Sequence, residues 1–221
     1  NGVTSIYNAA FEGCSSLTSI KVSEGNINYS SENGVLFDKN KKRLILFPTG
    51  KSGHYTIPDS VTSIGQSAFR GCSSLLSVKI PDSFKTILNH NFFSGCSNLT
   101  SVTIGNSVTT IRESAFHGCS SLKSVAIPDS VTSIRNFAFE GCSSLKSVTI
   151  PDSVILIGFR GFWGCSSLKS INFEGNAPAL GSHAFKMVSK DARIFINPDA
   201  IGFGETFGGL PVQILKKKVA I

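Results

Sequence analysis

One phrase, Gly-Cys-Ser-Ser-Leu-Lys-Ser-Val followed after one residue by Ile-Pro-Asp-Ser-Val, recurs nearly letter for letter, and Cys14, Cys72, Cys96, Cys119, Cys142 and Cys165 keep its beat. The last four intervals between these cysteines are 24, 23, 23 and 23 residues. Self-similarity at that period marks a solenoid, in which each repeat is one coil that can bury its apolar face only against its neighbours. A lone coil cannot offset the entropy of ordering its backbone, so only a stack folds.

Within the unit that starts at Leu122, the apolar positions are Leu122, Val125, Ile127, Val131, Ile134, Ala138, Phe139 and Cys142. Neither a helical period nor continuous alternation runs through it. Val125 and Ile127 alternate with Ser124 and Ala126, which predicts a short strand, and Pro128-Asp129-Ser130 supplies a turn. A second extended stretch, Val131 to Ile134, leads into a compact turn carrying Ala138-Phe139. Stacking sets like above like: Ile20, Val78, Val102, Val125, Val148, Ile171 and Ile194 in the strand, and Phe11, Phe69, Phe93, Phe116, Phe139, Phe162 and Phe185 in the turn. Parallel neighbours lie about 4.8 Å apart, so the phenylalanines are expected to form a continuous aromatic spine. The fold class is thus a mainly β or α/β repeat, a solenoid of about 23 residues per coil with short parallel strands.

The pattern defines one solenoid over residues 1–198 with an enlarged coil at about 23–57, followed by a cap and basic tail over 199–221. Between Val22 and Ile57, the apolar runs Val35-Leu36-Phe37 and Leu44-Ile45-Leu46-Phe47 flank Asp38 to Lys42, which predicts a hairpin, either a surface insertion or a binding loop. Asn28-Tyr29-Ser30 and Asn33-Gly34 read as turns. The glycine-rich stretch from Ile201 to Gly209 is expected to close the open end of the stack, ahead of Lys216-Lys217-Lys218. The chain opens at Asn1 in mid-repeat, with Val3, Ile6, Ala10, Phe11 and Cys14 in register, and reads as a piece of a longer protein. No apolar run approaches the 18 residues or so of a membrane span.

Six cysteines allow a disulfide reading, since neighbouring coils bring Cα atoms within bridging range. Val188, however, takes the cysteine position after Phe185, and valine replaces a thiol only in a small apolar slot. Reduced, buried cysteines are therefore expected. No C-x-x-C pair exists, and His54, His90, His117 and His183 share no column, so no metal site is expected.

The pattern Leu-x-x-Val-x-Ile-Pro-x-x-Val-x-x-Ile-x-x-x-Ala-Phe-x-Gly-Cys, as in Leu122 to Cys142, resembles the BspA-like leucine-rich repeats over nearly the whole chain. Glu32 to Phe37 with Leu44 to Pro48 is similar to a recurrent variant unit of that family. The resemblance implies a curved right-handed solenoid of the kind common in secreted or surface-attached proteins, several of them adhesins. It carries no catalytic motif and no cofactor.

Other motifs fail. Gly202-x-Gly204 lacks the third glycine of a dinucleotide fingerprint, Phe207 standing there, and Gly50-Lys51-Ser52 lacks the first glycine of a phosphate loop, Ile45 standing there. The column Asp59, Asp82, Asp129 and Asp152, with Asn106 in its own coil, is explained by side-chain bonds to local backbone N–H groups, with a cation site as the alternative. No serine or cysteine stands beside an evident histidine base, so an enzyme is not expected.

Two outward features remain. Lys123, Lys146 and Lys169 form one basic column within a net charge of +7, a solvated face or a site for an anionic glycan or acidic protein. No aromatics are interleaved with them, which disfavours nucleic acid. Ile155, Leu156, Phe159 and Trp163, with Phe137 one coil back, place large apolar groups where other coils are mostly polar; either the Phe203 to Leu210 cap covers them or they meet a partner. The function expected is non-catalytic binding by an extracellular or cell-surface ectodomain, as a monomer without membrane insertion, toward a host or cell-surface protein or glycan. A structural spacer within a larger surface protein is the alternative.

Overall fold

The computed structural model describes residues 2–7, 10–84 and 91–216. His90, Lys217 and Lys218, named above, lie outside the described residues. Regular structure among the described residues is β-strand, with no helix, so the fold is a β-solenoid.

Three rows of backbone hydrogen bonds hold the coils together. The first is a parallel row through Gly53–Thr56, Leu75–Lys79, Ser101–Thr103 and Ser124–Val125, then Ser147–Ile150, Ser170–Phe173 and Arg193–Ile196. Its register sets Val78 beside Val102 and Val102 beside Val125, and Val148 beside Ile171 and Ile171 beside Ile194. These strands are short because the prolines that follow in most coils carry no N–H to continue a ladder. The second row consists of two-residue strands, Thr110–Ile111, Ser133–Ile134, Leu156–Ile157 and Ala179–Leu180.

The third row lies in the turn that carries the spine phenylalanine. Ser67, Asn91, Ser114, Phe137, Arg160 and His183 hold one left-handed position, with φ between 53° and 65°. Four residues on, Gly71, Gly95, Gly118, Gly141 and Gly164 hold another at 70° to 76°, which a residue without Cβ adopts at no steric cost, and Met187 takes it in the last coil. This geometry aims three N–H groups per coil at the next coil. Phe137, Phe139 and Gly141 donate to the carbonyls of Phe159, Gly161 and Trp163, and Arg160, Phe162 and Gly164 donate to those of Ser182, Ala184 and Lys186.

The core is the expected one, with two corrections. Phe69, Phe93, Phe116, Phe139, Phe162 and Phe185 stack with centroids 5.0 to 5.6 Å apart. The spine begins at Phe47, 5.1 Å from Phe69, rather than at Phe11, which is only half-buried at the N-terminal end. The six cysteines are free; five are buried, but Cys14 is exposed, contrary to the expectation. In five coils a spine-side thiol donates to the carbonyl of the phenylalanine one coil earlier, as Cys96 does to Phe69 at 3.0 Å and Cys142 to Phe116 at 3.2 Å. Burial pushes the thiols of Cys119 and Cys142 well above the usual range. The Cys96 side chain, together with burial, does the same to Cys72.

The enlarged coil is a meander of three strands, Tyr29–Glu32, Val35–Asp38 and Arg43–Leu46. Tyr29 and Ser30 pair in the first strand rather than forming a turn, and Asn33-Gly34, both at positive φ, make the tight hairpin turn. Val35, Leu36, Phe37 and Leu44 are fully buried, so this segment is part of the core rather than a surface insertion. Its third strand enters the stack by pairing parallel with Ser63–Ile64.

At the other end Leu210–Ile214 pairs parallel with Arg193–Ile196, and Thr206–Phe207 folds back antiparallel on it. Phe203 and Phe207 close on Phe173, with centroids at 5.2 and 5.7 Å. The cap therefore covers the end of the core.

Candidate functional site

The outward aromatics of the sequence are brought together by a residue that the sequence reading passed over. The Arg160 guanidinium carbon lies 5.2 Å from the ring centres of both Phe159 and Trp163, within cation–π range. Phe137 meets Phe159 edge-on at 5.3 Å, and His183 meets Phe159 from the other side at 6.1 Å. Glu140 is 4.0 Å from the Arg160 guanidinium, with its side chain 13% exposed against 40% for the arginine. The Arg160 Nε is buried without a hydrogen-bond partner among the described residues.

Backbone geometry sets this cluster apart from the rest of the turn row. Ser, Asn and His tolerate the left-handed position or occupy it with small side chains, whereas Phe137 at φ 58° and Arg160 at φ 53° are bulky residues held in a disfavoured conformation. The cost is on the order of 1–3 kcal/mol for each such residue. The column of Ser67, Asn91 and Ser114 is the sequence signal that could have singled out Arg160 alongside Phe137.

Trp163, Phe159 and Phe137 are half-buried; Phe159 meets Phe137, His183 and Arg160, and Trp163 meets Arg160. The cap aromatics sit on Phe173 instead, because that is where the stack leaves apolar core uncovered. Ile155 and Leu156 do not join the ring cluster: Leu156 is a half-buried member of the second strand row, between Ser133 and Ala179, and Ile155 beside it is 69% exposed.

Lys123, Lys146 and Lys169 are exposed and stand in successive coils, linked by hydrogen bonds from the Lys146 N–H to the Lys123 carbonyl and from the Lys169 N–H to the Lys146 carbonyl. The Arg193 N–H donates to the Lys169 carbonyl, which continues the basic run by one coil.

The aspartate column differs from its expectation. Asp82 accepts from the Asn106 N–H of the next coil at 2.6 Å, not from a local one. In the Pro-Asp-Ser turns it is the serine that bonds, with Ser83, Ser130 and Ser153 each donating to a valine carbonyl one coil earlier at 2.7 Å. Stacking also brings serines to histidines that are remote in sequence: His54 Nδ1 lies 2.6 Å from Ser77 Oγ, and His117 Nδ1 lies 3.4 Å from Ser94 Oγ. Both pairs are exposed. No cluster of potential metal ligands is found among the described residues, and no described helix is long and apolar enough to cross a membrane.

Comparison with known proteins gives consistent results. The BspA type leucine rich repeat region matches in six copies over residues 1–49, 46–126 and 86–205. A leucine rich cell surface protein from Faecalibacterium prausnitzii is 35% identical over 75% of the chain, with a TM-score of 0.68, and the chain spans 44% of that protein's structure. A leucine-rich repeat protein from Bacteroides ovatus is 26% identical over 95% of the chain, which spans 64% of it, with a TM-score of 0.66. The leucine-rich repeat protein of T. pallidum, 22% identical over 87% of this chain and 91% of its own, shares the fold at a TM-score of 0.57. No curated protein matches the chain. With repeat, register and relatives in agreement, the chain belongs to the BspA type leucine-rich repeat family.

Proposed function

We propose that this chain is a non-catalytic binding ectodomain at the cell surface, with Arg160, Trp163, Phe159 and Phe137 as the centre of its contact area. The observation that carries this reading is the pair of bulky residues, Phe137 and Arg160, at the left-handed turn position, which the repeat fills with serine, asparagine or histidine elsewhere. Strain of this kind persists where a local arrangement is needed for something other than the fold. Tryptophan and arginine are also the types that dominate interface energetics. The half-exposed guanidinium, braced between two rings, is suited to a carboxylate on a partner protein, since arginine donors form a planar fork. The Faecalibacterium relative is described as a cell surface protein, which supports the location.

Capture of matrix and cell-surface proteins, and of glycans in a separate arm, by the intact chain tests the proposal. Trp163→Ala and Arg160→Gln are each expected to abolish capture of a protein partner while the melting temperature stays within a few degrees. Unchanged capture by both variants would put the contact area elsewhere on the chain, and no capture by the unaltered chain would leave the structural spacer as the better account.

A further inference from the structure

The turn row stops in a way that the strand row does not. In four successive coils, three N–H groups spaced two residues apart donate to three carbonyls of the next coil, from Asn91, Phe93 and Gly95 down to Arg160, Phe162 and Gly164. The equivalent groups of the last coil, the N–H of His183, Phe185 and Met187, have no acceptor among the described residues. His183 and Met187 keep the same left-handed geometry, at φ 61° and 62°, so the last coil has the backbone conformation that aims these donors in every earlier one.

Beside this edge lies a groove of about 480 Å³ between the last turn and the cap, lined by Leu180, Phe185 and Leu210 together with Gly208 and Gly209. That volume is within the range of about 300–1,000 Å³ that holds bound ligands. His183 and Lys186 lie at its rim and are exposed. A whole further coil does not fit the end of the stack, because the strand row is already closed by Leu210–Ile214 and its outer edge by the two-residue strand Thr206–Phe207. The turn row is open beside the free edge of the second strand row at Ala179–Leu180, and what occupies the turn row elsewhere is a short backbone segment offering carbonyls at alternate residues.

We propose that the groove takes an extended segment of a partner protein, which adds to the turn row through three carbonyls and sets an apolar side chain against the half-buried Leu180 and Leu210, Phe185 being already buried against Gly208. This is recognition by backbone addition to an exposed edge, in which main-chain bonds supply affinity and a pocket supplies selectivity. The basic rim favours a segment with an acidic flank. The site adjoins the Arg160 cluster through His183 but does not depend on that cluster's role.

Amide hydrogen exchange on the intact chain tests it, with a capped peptide copying residues 135–141 as the probe. Ala138 and Glu140 of that segment already accept from Phe116 and Gly118 in the stack. In the free protein, the amides of residues 183, 185 and 187 are expected to exchange at least about tenfold faster than those of residues 160, 162 and 164. Millimolar peptide is expected to slow the first set by about tenfold and leave other exposed amides unchanged, and a peptide with lysine in place of its glutamate is expected to protect less. Slow exchange at these three amides without peptide would overturn the proposal, since their acceptors would then come from the same chain or, if protection rises with protein concentration, from a second copy. Fast exchange that peptide does not alter would overturn it equally.

Discussion

Two sets of aromatic rings interleave over residues 116–163 and obey opposite rules. Phe116, Phe139 and Phe162 point inward, are fully buried, and stack with interplanar angles of 8° at both steps. Phe137, Phe159 and Trp163 point outward and are half-buried; Phe137 meets Phe159 at 89°, and a guanidinium joins Phe159 to Trp163. The inner rings repeat because each coil must present the same shape to the next, so the 23-residue period alone dictates them. The outer rings break the period, and two left-handed residues are strained where they do so. In a stack whose stability comes from sameness, departure from the pattern is the informative signal.

The sharpest way to break this contrast is to delete one ring from each set. Phe139→Ala removes a ring packed between two others in a closed core and is expected to cost about 3–5 kcal/mol. Because a solenoid is held by nearest-neighbour contacts, part of the stack is expected to unfold separately from the rest. Chemical denaturation read at Trp163 fluorescence and by circular dichroism checks this, through loss of coincidence between the two curves. Trp163→Ala is expected to cost about 1 kcal/mol or less, since the residue is half-exposed and outside the spine. Equal costs for the two substitutions would show that the outer cluster is part of the core.

Alkaline pH addresses the inner set alone. A thiol whose folded pKa is raised keeps its proton after the unfolded thiol, with an ordinary value of 9.0, has lost it. The contribution of Cys72, Cys119 and Cys142 is therefore complete below pH 9.0 and lost as pH rises above it. Each group withdraws about 1.4 kcal/mol per pH unit in that window. Urea unfolding under reductant is expected to show stability falling steeply above pH 9.0, and a flat profile would contradict the burial of these groups. Cys14, being exposed, is expected to react with a thiol reagent in the native protein before the other five.

The sequence made the inner set legible because identical environments force identical residues, so column, spacing and spine could be read from Leu122 to Cys142. Phe47 escaped because the enlarged coil shifts its register, and Tyr29-Ser30 escaped because turn-forming letters there also suit an edge strand. The outer cluster was only half legible. Phe137, Phe159 and Trp163 stood out as apolar letters in polar columns, but Arg160 resembled any surface arginine, and only its φ and the rings on either side distinguish it. Ile155 and Leu156 looked like members of the same patch, yet the backbone carries them away along the second strand row. The Ser77 and Ser94 contacts to histidines were hidden because stacking brings together residues a full coil apart.

The smallest expected effect on stability concerns the lysine column, which belongs to neither ring set and shows what a repeat tolerates without needing it. Lys123, Lys146 and Lys169 recur with the period, as the spine does, but they are exposed. Unit charges about 4 Å apart repel by about 1 kcal/mol in water, and salt weakens this further, so the column persists at little cost. Replacing all three with glutamine is expected to leave the melting temperature unchanged or slightly raised, while retention on heparin moves to lower salt. Retention of the unaltered chain is expected to fall steeply with ionic strength, since the screening length shrinks to about 8 Å at 0.15 M salt. If the triple variant elutes with the unaltered chain, the polyanion attraction comes from elsewhere on this positively charged surface, and the column is only a solvated face. If its retention is lost, the period has written a second, electrostatic surface onto the solenoid without any departure from the repeat.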